Sequence, residues 1–80
     1  MYRNIELNYK LNEAKTVLTI EMLEETTNSF KSITREYDLI QLDEQSLVYN
    51  KALDDFNAEF DDTLANLLDR LIEKAIKENE

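Results

Sequence analysis

The stretch LDDFNAEFDDTLANLLDRLIEKA, residues Leu53 to Ala75, decides the fold. Leu53, Phe56, Phe60, Leu64, Leu67, Leu71 and Ala75 follow one another at steps of three or four. That is a helical stripe with a mean period of about 3.67. Leu68 and Ile72 widen it, as in a helix that buries a broad face. Asp55, Glu59, Asp62, Asp69 and Glu73 fall on the opposite side. The spacing predicts a helix with a greasy face that needs cover and an acidic face left to solvent.

Working backward from the stripe, Asp43 is a candidate N-cap, with Glu44 behind it in the first turn. No Gly or Pro interrupts the chain from there, and Lys74 and Lys77 suit the negative end of a helix dipole. Tyr49 extends the stripe whereas Leu47 and Val48 do not, which places a bend or break between about Val48 and Asn57. An unbroken helix over residues 44–78 would run ~52 Å. A nine-residue strand covers only ~30 Å. Such a helix either breaks and folds back or packs its second half on another copy. The second case predicts a two-fold homodimer through Leu68, Ile72 and Ile76. The spacing is no heptad repeat, so a left-handed coiled coil is a poor fit.

Toward the N-terminus the period changes to two. Ile5, Leu7, Tyr9 and Leu11 alternate with Glu6, Asn8 and Lys10 over residues 2–11. Leu18, Ile20 and Met22 alternate over residues 16–24. A turn at Asn12–Lys15, with Asn12 as the residue best suited to a left-handed conformation, sets Tyr9 opposite Leu18, Leu7 opposite Ile20 and Ile5 opposite Met22. The same register puts Glu6 against Glu21, a local penalty. Residues 30–42 mix both parities, which reads as a third strand with a bulge or with both faces partly covered near its end, a short helix being the rival.

The expected fold is therefore α+β, one domain over residues 1–80. A three-stranded antiparallel meander (1–42) is covered on one face by one long helix or two consecutive ones (43–80). The alternative is a mostly helical chain in which only residues 2–24 form a hairpin.

Composition narrows the function. Eighty residues without Cys, His, Gly, Pro or Trp exclude disulfides, Cys- or His-based metal sites, a Gly-rich phosphate loop and a Ser-His triad. Asp54-Asp55 and Asp61-Asp62 lack the loop spacing of a calcium site. We expect no catalytic residues, no metal and no cofactor. Net charge is −9, with residues 1–42 at −2 and residues 43–80 at −7. That disfavours nucleic acid and anionic membranes as direct partners and favours a basic protein surface. Met1 is followed by no apolar leader, and no run approaches the ~18 apolar residues of a membrane span, so an intact, soluble, cytoplasmic protein is expected.

Two functions from different classes fit. The first is a small acidic, non-catalytic inhibitor or regulator. It would present Asp55, Glu59, Asp62, Asp69 and Glu73, at spacing close to that of nucleic-acid phosphates, to a basic, nucleic-acid-handling protein. Small acidic chains without catalytic motifs are common among phage- and mobile-element-encoded inhibitors, an analogy of type and not of family. The second is a self-associating structural or assembly protein that acts through its C-terminal helix.

Overall fold

The computed structural model describes residues 3–56 and 62–79 of the chain. Three strands, β1 (Arg3–Leu11), β2 (Val17–Thr26) and β3 (Phe30–Asp38), are followed by helices α1 (Gln45–Phe56) and α2 (Asp62–Asn79). The strands form one antiparallel sheet in the order β1-β2-β3. The expected α+β meander is thus present, with the helical part divided in two.

The alternation of β1 and β2 sets the faces. Leu18, Ile20 and Met22 point to the helix side and are fully buried, flanked by Ile5, Leu7, Tyr9 and Leu11 from β1 and by Ile33 and Tyr37 from β3. The register differs from the expected one by two residues. Leu11 pairs with Leu18, Tyr9 with Ile20, Leu7 with Met22, and Ile5 with Glu24. A two-residue slip leaves every side chain on its face, so the core is unchanged. It also places Leu23, not Glu21, opposite Glu6, which removes the expected repulsion.

The cause of the slip is the turn. Asn12 Oδ1 accepts from the backbone N–H groups of Thr16 (2.7 Å) and Val17 (2.9 Å), and Asn12 Nδ2 donates to Thr16 Oγ1 (3.0 Å). These bonds lengthen the connection. The left-handed residue is Lys15 (φ 60°) rather than Asn12. A side chain that ties two neighbouring N–H groups offsets the local cost of that conformation.

β3 pairs with β2 residue for residue from Phe30 to Asp38, so the expected bulge is absent. The strand ends at Asp38, and the mixed parity of residues 30–42 arises because Ile40 and Leu42 lie beyond it while Phe30 stands on the face away from the helices. Leu39 is buried while Phe30 and Ile40 are exposed. The first helical bonds run from Leu47 and Val48 N–H to the carbonyl of Glu44, so Glu44 and not Asp43 holds the N-cap position.

Of the two helical arrangements expected, the structure has the divided one, with α1 ending inside the expected break region. α1 ends at Phe56 and α2 begins at Asp62, while Glu59 and Phe60 lie outside the described residues. α2 now has 18 residues, ~27 Å, which matches the ~30 Å of nine-residue β1. It runs along β1. Thr63 and Leu64 lie beside Arg3 and Ile5 at one end, and Glu78 reaches Tyr9 and Lys15 at the other.

Each helix also settles in its own phase. α1 buries Val48, Ala52 and Phe56, while Tyr49 and Leu53 pack at the margin. α2 buries Leu64, Leu68, Ile72 and Ala75, while Leu67 is 47% exposed. Leu68 and Ile72 are fully buried by the chain itself, so they form core and not an uncovered patch. Ile76 is partly buried against the same core. The dimer interface expected at these three residues has lost its premise.

Candidate functional site

The acidic helix face does not survive as one ridge. Asp55 belongs to α1, whereas Asp62, Asp69 and Glu73 belong to α2, and Glu59 falls outside the described residues. Two of these carboxylates are engaged inside the fold. Asp55 Oδ2 accepts from the hydroxyl of buried Tyr37 (2.8 Å), and Asp69 Oδ1 accepts from Gln45 Nε2 (3.1 Å), tying α2 to α1. Glu73 pairs with Lys77 one turn later (3.2 Å). Asp62 is exposed in the first turn of α2.

The Tyr37–Asp55 contact has consequences of its own. Burial, reinforced by the hydrogen bond to Asp55, pushes the Tyr37 hydroxyl above its ordinary pKa. A raised phenol pKa means that folding favours the neutral form. The resulting stability is complete below the unfolded value of about 10 and is lost as pH rises through the native value. Unfolding midpoints in urea should therefore fall between pH 8 and pH 11, and fall less in Tyr37→Phe. At neutral pH, Asp55→Ala strands a buried hydroxyl and should cost about 1–3 kcal/mol, whereas Asp62→Ala should change stability by less than about 0.5 kcal/mol. Equal midpoints for the two variants would show that the Tyr37–Asp55 bond contributes nothing.

Among the described residues, no helix covers the other face of the sheet. Its residues are Asn4, Glu6, Asn8 and Lys10 from β1, Val17, Thr19, Glu21, Leu23 and Glu25 from β2, and Phe30, Ser32, Thr34, Glu36 and Asp38 from β3. Lys10 is the single base among them. The register makes Glu6 a diagonal neighbour of both Glu21 and Glu25, and Glu36 a diagonal neighbour of Glu21. Diagonal neighbours lie about 7–8 Å apart. Glu25, Glu6, Glu21 and Glu36 thus form a zigzag of carboxylates across all three strands. None of the four has an ion-pair or hydrogen-bond partner among the described residues.

Beside the zigzag lies a shallow depression of about 260 Å³ bordered by Asn8, Tyr9, Lys10, Thr19, Glu21 and Thr34. Glu21, the one carboxylate among its described lining residues, stands in the middle strand, held on both sides by neighbours.

Glu24 is different. It occupies the helix side of β2, accepts from Arg3 Nε (2.7 Å) and lies 3.6 Å from Lys31 Nζ. The hydrogen bond from Arg3 holds its carboxyl below the ordinary range. Of the two adjacent glutamates, one closes the end of the core and the other, Glu25, faces solvent.

The sequence reading passed over this zigzag because the polar positions of a half-buried strand look like ordinary solvent contacts. Its signal was the Glu6–Glu21 proximity, which drew notice only as a repulsion. No family model, curated protein or solved structure matches the chain. Among the described residues, no helix is long and apolar enough to cross a membrane.

Proposed function

We propose that this protein is a small acidic, non-catalytic inhibitor or regulator that binds a basic surface of another protein. Its recognition surface is the open face of the sheet. The observation that carries this reading is the zigzag Glu25–Glu6–Glu21–Glu36, whose carboxylates have no partner among the described residues. The helix acids are weaker candidates, because Asp55 and Asp69 are engaged with Tyr37 and Gln45 and Glu73 is paired with Lys77.

Paired strands fix the backbone under these glutamates, so only their side-chain rotamers have to be ordered on binding. A spacing of about 7–8 Å resembles that between successive phosphates of a nucleic-acid strand. A protein that handles nucleic acid offers a groove of Lys and Arg at a matching spacing. A chain of net charge −9 would enter such a groove quickly and in a salt-sensitive way.

The test compares two charge-matched variants in capture from lysate. One is Glu21→Lys, Glu25→Lys, Glu36→Lys on the sheet. The other is Asp54→Lys, Asp62→Lys, Glu73→Lys on the helices. Each changes net charge by the same amount, and neither removes a contact of the core. The expected result is a protein retained by wild type and by the helix variant and lost by the sheet variant. Equal loss from both would reduce the effect to bulk charge. Loss from the helix variant alone would return recognition to the helices.

A further inference from the structure

We infer that the free edge of β1 pairs antiparallel with β1 of a second copy, about a two-fold axis at Asn8. Asn12 N–H donates to the carbonyl of Val17 (3.1 Å), and the β1–β2 register continues without a break to Arg3. In an antiparallel pair, alternate residues turn both backbone groups toward one neighbour. The even-numbered residues of β1 therefore bond to β2. The N–H and C=O groups of Ile5, Leu7, Tyr9 and Leu11 point out of the sheet, where no described strand meets them.

Natural edge strands usually carry a device that prevents such pairing. β3 has one, because Lys31 and Arg35 alternate with Ile33 and Tyr37 on its helix side. β1 carries no charge on its helix side between Ile5 and Leu11, and its Glu6 and Lys10 stand on the open face. It is regular over nine residues and has no Pro. Its helix side is a row of four partly buried apolar residues, Ile5, Leu7, Tyr9 and Leu11. Above that row, α2 turns Leu67 and Leu71 outward. They share a side of the helix with Glu78, whose carboxylate accepts from Tyr9 (2.8 Å), and point away from Asp69, which faces α1. Leu67 is 47% exposed and Leu71 is partly buried. The open edge is thus apolar in both layers.

The charges of β1 choose the occupant. When residues whose numbers sum to 16 are paired, Leu7 meets Tyr9 of the copy and Ile5 meets Leu11. On the other face Glu6 meets Lys10 twice and Asn8 meets its own equivalent. Centring the axis on Glu6 instead brings two glutamates together, and centring it on Leu7 or Tyr9 leaves Glu6 and Lys10 without each other. The strand is complementary to itself in one register. The product is a six-stranded sheet with two α2 helices side by side, and it keeps Glu21, Glu25 and Glu36 exposed on the open face. This inference does not depend on the partner-binding reading.

The chain has no Cys, so Asn8→Cys introduces a single thiol. Directly opposed residues of a non-hydrogen-bonded pair lie about 4.5 Å apart at Cα, within the range of a disulfide. Mild oxidation of folded Asn8→Cys should give a covalent dimer. Glu6→Cys and Thr34→Cys should not, since two copies of residue 6 would stand ~13 Å apart and β3 is remote from the axis. In sedimentation, wild type should show twice the 9.5 kDa chain mass. Lys10→Glu should weaken the dimer about tenfold, and Glu6→Lys with Lys10→Glu should restore it. A wild-type monomer at every concentration, cross-linking of Asn8→Cys no faster than the two controls, or a dimer indifferent to Lys10→Glu would each overturn the proposal.

Discussion

Phe56→Ala is expected to lower stability by about 3–5 kcal/mol, while Phe30→Ala leaves it almost unchanged. The two substitutions remove the same atoms. Phe56 closes α1 at 1% exposure and packs with Val48 and Ala52 against the sheet, whereas Phe30 opens β3 at 65% exposure. A chain of 80 residues holds its core in two layers, and small domains have total stabilities of only about 3–5 kcal/mol. Phe56→Ala should therefore be largely unfolded at 25 °C, with no cooperative transition by circular dichroism. Matching melting curves for the two variants would mean that α1 is not docked through Phe56.

The second large effect is expected at Ile72. This residue has no exposure and stands with Leu68 and Ala75 on the buried face of α2. Ile72→Lys would place an ammonium among the apolar side chains of the core. An uncompensated buried charge costs several kcal/mol, more than a domain of this size can supply. The variant should not fold at any concentration. The outcome separates two pictures of α2. If Ile72 lay in an interface between copies, Ile72→Lys would give a well-folded monomer. A folded monomer would thus restore the long-helix picture and remove α2 from the core of the single chain.

How much of this was legible in the sequence depended on how local each signal was. The alternation from Ile5 to Met22 specified two strands and their faces, because a period of two is a property of neighbouring residues. Register was not, since it turned on the side chain of Asn12 reaching Thr16 and Val17 and on Lys15 accepting a left-handed conformation. The helical stripe specified helix but misplaced its centre. Large residues dominate that stripe, while small Ala52, outside it, is fully buried and Leu67, within it, is half-exposed. Once α1 ends at Phe56, α2 is free to choose its own phase, and it presents Leu68 and Ile72 to the sheet.

The candidate site was missed for a related reason. Asp55, Asp62, Asp69 and Glu73 were visible as a helical series, yet Tyr37 and Gln45 claim two of them through contacts 18 and 24 residues distant in sequence. The carboxylates of Glu6, Glu21, Glu25 and Glu36 come together only through strand pairing, which no single stretch of sequence displays.

The claim that matters most is that the open sheet face, not the helices, does the binding. Association rate constants for the captured partner test it most directly, measured for wild type and both charge-matched variants at 0.1 M and 1 M salt. The Debye length falls from ~10 Å to ~3 Å over that range, so wild-type association should slow steeply. The helix variant should keep a steep salt dependence and associate at close to the wild-type rate. The sheet variant should bind slowly at both salts. A sheet variant that associates as fast as wild type, with the same dependence on salt, would contradict the account.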